Sequence, residues 1–229
     1  MKDGIGLIIR SEQELYLERL LPPRDALLAE MEAVAGREDI PISDPEVGRL
    51  LEVLARASGA RTIVEVGTAI GYGTLCLARG APEARVLSID TDPERLARAR
   101  GYLERAGVMD RVELIEGPAL TVLQDLSRHL AGPIDFAYVD AVKTEYRRYL
   151  DFLLPRVRVG GMLAFDNLLW KGRVAEPPEE DDAAADALRA FNGYLMIHPQ
   201  LRASLLPLGD GVGLATKTKP LMTEMGGPY

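Results

Sequence analysis

Polar side chains that could bind a metal ion follow two apolar segments in the second half of the chain. Asp140 comes directly after the run 134–139, and Asp166 and Asn167 come directly after the run 161–165. If both runs are parallel strands, their carboxyl ends meet at one edge of a sheet and bring the three side chains together. Two carboxylates and an amide are hard oxygen ligands, which suit Mg²⁺ or alternatively Mn²⁺ or Ca²⁺. The alternative, that both acids cap the segments after them, remains open from sequence alone.

A lysine lies three residues after the first of these acids, at Lys143. Burial and a nearby cation both favour the neutral form of a lysine amine, and a metal ion also acidifies a hydroxyl bound to it. Asp140 and Lys143 are therefore candidate catalytic residues for removing a proton from a hydroxyl near neutral pH. The alternative for Lys143 is a solvated surface side chain.

The segment 62–74 combines a strand, a glycine-rich turn and the start of a helix. Its glycines do not have the G-x-G-x-x-G spacing that brings backbone against a pyrophosphate, and they fit E-x-G-x-x-x-G from Glu65 to Gly71. A carboxylate at Glu65 would repel a diphosphate but suits an ammonium group. Asp90 ends the next strand, where an acid bonds ribose hydroxyls in doubly wound sheets. Together these features predict a nucleoside cofactor with a cationic head group, although each alone also fits a plain loop or a helix cap.

The elements expected around these residues alternate between strands and helices, as in a doubly wound parallel sheet. Helical spacing predicts two short helices on either side of Pro22-Pro23, and a third that starts at Pro45, has Asp44 as its cap and ends near Gly59. The predicted parallel strands cover 61–66, 85–89, 112–115, 134–139 and 161–165, and the helices between them cover 71–79, 93–106, 120–130 and 146–154. A helix over 181–196 then precedes strands over 201–207 and 212–217, which the Asp210-Gly211 pair joins as an antiparallel hairpin.

The composition is that of one globular domain. With 229 residues, 47% hydrophobic and 27% charged, the chain excludes disordered, collagen-like and coiled-coil classes. We expect a single domain over 1–229, with an N-terminal helical extension at 1–39, a core at 40–217 and a flexible tail at 218–229.

Charge and residue counts exclude several functions. The net charge of −8 argues against a protein that coats nucleic acid non-specifically. Two histidines and the single Cys76 cannot form a His-rich or cysteine metal cluster, or an internal disulfide. No apolar run approaches the roughly 18–20 residues of a membrane span, and the first residues lack a signal-peptide pattern. We therefore expect a cytoplasmic protein with no membrane partner.

In combination, the motifs resemble the S-adenosylmethionine-dependent, metal-dependent O-methyltransferases, the family of the catechol and caffeoyl-coenzyme A enzymes. The resemblance covers about residues 40–217. It implies an α/β, doubly wound, Rossmann-like class I methyltransferase fold, with a seven-stranded, mostly parallel sheet that ends in an antiparallel hairpin and extra helices at the N-terminus. The matching segments are Glu65-Val-Gly-Thr-Ala-Ile-Gly-Tyr72, Ile89-Asp90, Val139-Asp-Ala-Val-Lys-Thr-Glu-Tyr146, Asp166-Asn-Leu-Leu-Trp-Lys-Gly-Arg-Val174, His198-Pro199 and Gly209-Asp-Gly211.

The resemblance also implies roles for individual residues. Glu65 would bind the methionine amino group of S-adenosylmethionine, and Asp90 its ribose. Asp140, Asp166 and Asn167 match the metal ligands, and Lys143 matches the catalytic lysine. The complete set of cofactor-binding residues expected from the resemblance is Ser43, Glu65, Gly67, Thr68, Gly71, Gly73, Thr74, Asp90, Thr91, Pro118, Ala119, Asp140 and Tyr146.

The chain departs from the family pattern in three places. Gly73-Thr74 stands where the family commonly has a serine, which puts one hydroxyl contact to the cofactor carboxylate in doubt. The usual Asp-Ala-Asp-Lys is Asp-Ala-Val-Lys here, which keeps Asp140 and Lys143. The stretch between Phe191 and Pro207 lacks the glutamate that animal catechol enzymes carry near the second substrate hydroxyl, which argues against a dedicated catechol enzyme.

Two acceptors fit a metal that binds neighbouring oxygens: a small hydroxylated aromatic or, alternatively, a modified tRNA. Segments 67–72, 170–176 and 191–199 resemble the bacterial tRNA 5-hydroxyuridine methyltransferases, which act on a wobble uridine. Phosphate contacts could then come from Lys143, Arg147, Arg148, Lys171 and Arg173. In another class, a noncatalytic nucleoside-binding protein would require the metal ligands to be accidental.

The resemblance further implies a homodimer. The N-terminal helices carry apolar side chains at Leu20, Leu21, Leu27 and Leu28. These could pack in the core, cover the site or form the dimer contact.

Overall fold

A computed structural model describes residues 11–23, 25–178 and 181–219 and has a central sheet with helices on both faces. The strands are β1 Thr62–Val66, β2 Arg85–Asp90, β3 Val112–Glu116, β4 Ile134–Val139, β5 Val157–Phe165, β6 Leu201–Leu206 and β7 Val212–Lys217. The α-helices are α1 Ser11–Leu20, α2 Ala26–Glu38, α3 Pro45–Ala57, α4 Tyr72–Gly80, α5 Pro93–Arg105, α6 Ala119–Gln124, α7 Tyr146–Leu153 and α8 Ala183–Ile197. Short 3₁₀ helices cover Met109–Arg111, Leu126–Arg128, Lys143–Glu145 and Trp170–Ala175.

The seven strands have the order β3-β2-β1-β4-β5-β7-β6. The pairs from β3 to β5 are parallel, whereas β7 runs antiparallel to both of its neighbours, β5 and β6. The predicted doubly wound α/β sheet with a final antiparallel hairpin is therefore confirmed. The strand order changes direction between β1 and β4, because β2 and β3 lie on one side of β1 and the later strands lie on the other. Ligands of such folds bind at the carboxyl ends of the strands beside this point.

Alternate residues of each strand pack against opposite helical layers. Ile63 of β1 belongs to a core cluster that includes Met31, Leu51 and Leu75 of α2, α3 and α4. Val64, its neighbour in β1, belongs to a second cluster packed under α6, α7 and α8. This two-sided burial explains why the parallel strands are almost continuously apolar.

Two predicted elements differ from the observed ones by more than two residues. The helix expected over 120–130 ends at Gln124, because Asp125 adopts φ −112° and ψ 27° and the chain continues as a short 3₁₀ helix. The fifth strand begins at Val157, earlier than predicted. Val157 pairs with Ile134 and Met162 with Phe136, so the extra residues of β5 form an irregularity opposite one residue of β4.

Asp44 precedes α3, as expected, but its side chain makes no capping hydrogen bond. The carboxylate instead lies close to Gly209, where a Cβ atom would be 2.7 Å from Asp44 Oδ2. The predicted position of the cap is therefore right, and the predicted hydrogen bond is wrong.

The two N-terminal helices differ in burial. α2 contributes Leu28, Met31 and Ala35 to the core, whereas Leu20 of α1 is exposed. None of the helices in the described ranges is both long and apolar enough to cross a membrane. The tail that we expected to be flexible lies outside the described residues, except for Thr218 and Lys219.

Candidate active site

Backbone hydrogen bonds bring the predicted site residues together at the carboxyl edge of the sheet. The amide of Asp140 donates to Val66 O at 2.8 Å, and the amide of Asp166 donates to Val139 O at 2.9 Å. Gly67 lies against the same edge with φ 102°, and a Cβ atom there would lie 1.9 Å from Asp140 O. Only glycine fits this position, so the glycine of the first turn is required by contact with the chain after β4.

A cavity of about 870 Å³ opens at this edge of the sheet. It is lined by most of the residues predicted from the sequence: Ser43, Glu65, Gly67, Thr68, Gly73, Asp90, Thr91, Pro118, Ala119, Asp140, Lys143 and Asn167. Gly71, Thr74, Tyr146 and Asp166 are not among its lining residues in the described part of the chain. Gly71 packs against Ala99 of α5, where a Cβ atom would be 3.1 Å from the alanine Cβ. The other three support wall residues through hydrogen bonds.

Glu65 provides a buried carboxylate at one end of the cavity. Its Oε2 accepts hydrogen bonds from Ser88 Oγ at 2.5 Å and from the Thr74 hydroxyl. Its Oε1 is buried and has no hydrogen-bond partner among the described residues. Burial raises the pKa of Glu65 to about 8, and the charges of Asp140 and Asp90 add to this rise. An ammonium group bound at Oε1 would supply the missing donor and the missing positive charge.

The departure at Gly73-Thr74 has a structural explanation. The Thr74 hydroxyl is fully buried and bonded to Glu65, so it supports the carboxylate from behind. A Cβ atom at position 73 would lie 2.6 Å from Glu65 Oε1, so glycine keeps the space beside that oxygen open.

Asp90 accepts backbone hydrogen bonds on both oxygens. Ala69 N donates to Oδ2 at 2.8 Å, and Asp92 N donates to Oδ1 at 3.0 Å. The cap of α5 is Asp92, whose side chain accepts from Glu94 N and Arg95 N. The helix-cap explanation therefore does not apply to Asp90, which lines the cavity beside the glycine-rich turn.

Of the oxygen ligands expected for a metal ion, Asp140 and Asn167 line the cavity, and Asp166 is buried beside Asn167. Asp166 is 2% exposed and accepts from Tyr138 Oη at 2.8 Å and from Asn167 N at 2.8 Å. Burial and the neighbouring charge of Asp140 raise the pKa of Asp166 to about 7. The described ranges contain no group of three or more His, Cys, Asp or Glu side chains that could hold a metal. The predicted set is two carboxylates and the Asn167 amide. The oxygen donors and the negative charge of two carboxylates and an amide suit a hard divalent cation, which would also relieve the repulsion between the carboxylates.

Lys143 lies beside these ligands. Its Nζ donates to Asp140 Oδ1 at 2.7 Å and to Tyr146 Oη at 2.9 Å, and its side chain is 12% exposed. Tyr146 Oη in turn donates to Asp166 O at 3.0 Å. Neither Asp140 nor Asp166 is the cap residue of a helix: Val142 and Glu145 precede the helices after Asp140, and Leu169 precedes the 3₁₀ helix after Asp166. The solvated-lysine and capping alternatives are therefore both wrong.

The five basic residues expected near the site are not gathered there. Lys143, Arg148 and Lys171 line the cavity. Arg147 lies over the Tyr194 ring, 3.3 Å from its centroid, and pairs with Asp151. Arg173 forms an ion pair with Asp182 at 2.8 Å. A basic surface made of all five residues is therefore not present.

A family model described as O-methyltransferase matches residues 25–218. The chain belongs to the O-methyltransferase family. The predicted enzyme class is thereby confirmed, and the noncatalytic alternative loses its basis.

The sequences of two relatives align with most of this O-methyltransferase. A caffeoyl-CoA O-methyltransferase 2 of Zea mays is 36% identical over 75% of the chain and 68% of the relative. A catechol O-methyltransferase of Niastella koreensis is 33% identical over 83% of the chain and 89% of the relative. Among solved structures, an O-methyltransferase from Bacillus cereus in complex with SAH has a TM-score of 0.81 and 31% identity, covering 89% of this chain and 96% of that one. Neither relative is a tRNA enzyme by name, so the finer resemblance to tRNA methyltransferases remains a prediction.

Sequence inspection of this O-methyltransferase missed three supporting residues. Ser88 and Tyr138 lie in β2 and β4, where the strand pattern suggested only core packing. Asp210 was assigned to the hairpin turn, yet it lines the cavity and its Oδ1 accepts from Lys171 N at 2.5 Å. Ser88 and Tyr138 are the Cα partners of Glu65 on the two neighbouring strands, so correct strand register is the signal that would have found them.

Proposed function

We propose that this O-methyltransferase transfers the methyl group of S-adenosylmethionine to one of two neighbouring oxygens of a hydroxylated aromatic compound, with a divalent cation present. The observation that carries the proposal is that one cavity is lined by Asp140, Lys143, Asn167 and Glu65, and that the buried Oε1 of Glu65 has no hydrogen-bond partner among the described residues. The names of the caffeoyl-CoA and catechol relatives support this acceptor class.

The cofactor would lie along the first half of the cavity. Glu65 Oε1 would accept from the methionine ammonium group, Asp90 would bond the ribose, and Pro118 and Ala119 would contact the adenine. All four line the same cavity. Gly67 N donates to Ile89 O at 2.9 Å and Ala69 N donates to Asp90 Oδ2 at 2.8 Å, so hydrogen bonds within the protein already join the turn to the end of β2 without the cofactor.

Asp140, Asp166 and Asn167 would hold the divalent cation, which when bound would orient two acceptor oxygens and acidify a hydroxyl. Lys143 Nζ, held in place by Asp140 and Tyr146, is the group positioned to receive the hydroxyl proton. The acceptor oxygen then forms a bond to the methyl carbon as the bond from that carbon to sulfur breaks. Sulfur keeps the electron pair, and the products are S-adenosylhomocysteine, a methyl ether and a proton.

Labelled methyl transfer tests the proposal directly. Caffeic acid has two neighbouring hydroxyls, and 4-coumaric acid, with one, is the matched control. We expect label in caffeic acid with Mg²⁺, little label with excess chelator, and little in 4-coumaric acid. Label in neither acid would contradict the proposed acceptor class.

A tRNA that contains 5-hydroxyuridine is the second acceptor to be assayed in parallel, because its uracil ring also offers neighbouring oxygens. Arg148 and Lys171 at the cavity rim are the observation that favours it. Metal-dependent label in the tRNA alone would replace the small aromatic as the acceptor.

We also propose that the protein is a homodimer. The exposed apolar side chains of α1 support it: Leu15, Tyr16, Leu17 and Leu20 are between 47% and 61% exposed. Size-exclusion chromatography with light scattering measures the molar mass in solution. A monomer at assay concentration would contradict this proposal.

A further inference from the structure

Left-handed backbone conformations are concentrated around the cavity. Among the described residues, those other than glycine with a positive φ, between 45° and 58°, are Asp39, Ala69, Asn167, Trp170 and Lys171. Asp39 ends α2, and the other four line the cavity. A residue with a side chain adopts this conformation at an energetic cost, so the surrounding structure must hold it there, and such residues cluster at functional sites.

Three of these four residues are held in the same way, by a carboxylate that accepts a hydrogen bond from the backbone amide. The pairs are Ala69 N with Asp90 Oδ2 at 2.8 Å, Asn167 N with Asp166 Oδ1 at 2.8 Å, and Lys171 N with Asp210 Oδ1 at 2.5 Å. Two of the carboxylates belong to the proposed cofactor and cation sites. The third, Asp210, lines the same cavity and has no place in either site.

The hairpin turn before β7 brings Asp210 against the segment that follows β5. Asp210 O accepts from Leu169 N and Gly211 O accepts from Leu168 N, both at 2.8 Å. These main-chain bonds do not need the Asp210 side chain. Among the described residues, the amide of Lys171 is the only hydrogen-bond donor to that side chain. Substitution of Asp210 therefore removes one bond and leaves the turn attached.

The bond from Lys171 restrains two wall residues at once. Its amide belongs to the planar peptide unit that joins Trp170 to Lys171, so fixing this unit restrains the backbone of both. Asn167, at the start of the segment, is held separately through its amide bond to Asp166. Loss of the Asp210 carboxylate should thus release Trp170 and Lys171 and leave the proposed cation ligand Asn167 in place.

Asp210 also lies close to the proposed reacting end of the cavity. Burial raises the pKa of its carboxyl, whereas the Lys171 amide bond and the charge of Lys143 lower it. The charge of the proposed catalytic lysine therefore reaches Asp210. The walls that Asp210 restrains are those beside the cation ligands, where the acceptor would lie.

We propose that Asp210 is a positioning residue for the methyl acceptor: its carboxylate holds Trp170 and Lys171 in the left-handed conformation in which they line the acceptor side of the cavity. The inference rests on the proposed function, from which it takes the acceptor and its place beside the cation. Asp210 then affects binding of the acceptor and leaves binding of the cofactor and the cation unchanged.

Calorimetric titration with caffeic acid, in saturating S-adenosylhomocysteine and Mg²⁺, measures acceptor binding without turnover because no methyl group is available. Asp210→Ala should raise the Kd of caffeic acid by about tenfold, the order of the strain at one left-handed residue. Asp210→Asn keeps an acceptor oxygen and should stay within about threefold of wild type. Neither variant should change the Kd of S-adenosylhomocysteine. Trp170 is the only tryptophan of the chain, so its fluorescence follows the same binding at the segment itself.

Glycine at position 171 separates positioning from direct contact with the acceptor. Glycine adopts a positive φ without strain, so the carboxylate is not needed to hold it there. In a Lys171→Gly background, Asp210→Ala should therefore change the Kd of caffeic acid by less than about twofold. Lys171→Ala is the matched control, because it removes the same side chain and keeps the strain. In that background the tenfold effect of Asp210→Ala should persist.

The possible results separate this inference from the proposed function. A tenfold effect that persists in Lys171→Gly would mean that Asp210 contacts the acceptor directly, and an effect lost in both backgrounds would mean that it acts through the Lys171 side chain. Either result overturns the inference, as does an equal Kd in wild type and Asp210→Ala. If the wild type binds S-adenosylhomocysteine but not caffeic acid, the proposed acceptor class fails and the inference fails with it.

Discussion

Glu65 and Asp166 are buried carboxylates in the two proposed binding regions, the cofactor end and the cation end, and their surroundings prepare them for different ligands. Glu65 has hydroxyl donors on one oxygen and an open second oxygen, with Asp140 and Asp90 as its charged neighbours. Asp166 has a donor on each oxygen and lies beside Asp140 and Lys143. Both side chains are carboxylates and both are buried, so it is the arrangement of donors that distinguishes the two ends.

The difference predicts what each end binds. A buried oxygen without a hydrogen-bond partner among the described residues, whose charged neighbours Asp140 and Asp90 are both acidic, suits one directed N–H donor, as an ammonium group provides. A carboxylate that shares its space with a second carboxylate and an amide suits a divalent cation, which several oxygens can hold at once. Substitution at each end should therefore affect different steps.

The largest effect is expected from Asp166→Asn, which removes one of the two proposed anionic ligands. We expect the rate of methyl transfer to fall by about 10⁴-fold, because the proposed cation accounts for several kcal/mol of the barrier. Cofactor affinity should change by less than about tenfold. Single-turnover rates with labelled cofactor measure the first quantity, and calorimetry measures the second.

Asp186→Asn is the matched control, since Asp186 is an exposed acid on α8 paired with Arg189. It should leave both quantities unchanged. An active Asp166→Asn enzyme would remove the distinction between the two ends.

The next effect is expected from Lys143→Met, at the same end of the cavity. Loss of a general base typically costs 10²- to 10⁴-fold, and we expect about 10²-fold because acidification of the hydroxyl by the proposed cation remains. The loss should appear in kcat rather than KM and should shrink as pH rises, since hydroxide then takes over the removal of the proton.

Lys143→Arg separates charge from proton transfer, because a guanidinium keeps the charge but does not act as a base. It should be as impaired as Lys143→Met. If Lys143→Arg retains full activity, Lys143 acts through its charge alone.

The sequence predicted the acidic residues of both ends but not the hydrogen-bonding role of Tyr138. Glu65, Asp90, Asp140 and Asp166 were found because each lies within one residue of the end of a strand, and strand ends can be located from local patterns. Tyr138 was assigned to the core because an aromatic residue within an apolar strand has no local sign of a polar role. Its hydrogen bonds to Ser43 and Asp166 depend on register with β1 and β5, which is a property of the assembled sheet.

Local patterns failed in the same way elsewhere. The helix over 120–130 was predicted as continuous, but the backbone at Asp125 breaks it. Arg147 and Arg173 are close in sequence to site residues, yet Tyr194, Asp151 and Asp182 hold them in other contacts. Proximity in sequence to a motif therefore did not predict which charges reach the cavity.

The smallest effect is expected from Glu65→Gln, which tests the first end. Gln keeps the shape and the acceptor oxygen but removes the charge, and a hydrogen bond to a charged group is worth about 1.5–3 kcal/mol. Cofactor affinity at pH 8 should therefore fall by roughly 10- to 100-fold, while the rate of methyl transfer at saturating cofactor stays within about tenfold of wild type.

The pH dependence of binding gives the sharper test of Glu65. Its pKa is raised to about 8 by burial, so the ionised form that binds an ammonium group grows as pH rises from 6 to 8. Wild-type affinity should increase by roughly tenfold or more over this interval, and that of Glu65→Gln should stay flat.

The stability of the cofactor-free protein should change in the opposite sense. A carboxyl whose pKa is about 8 when folded and 4.5 when unfolded stabilises the fold below 4.5, and this stabilisation is lost as pH rises through 8. Thermal unfolding without cofactor should thus show the wild type losing Tm relative to Glu65→Gln between pH 5 and 9; parallel Tm curves would mean that burial does not set the ionisation of Glu65.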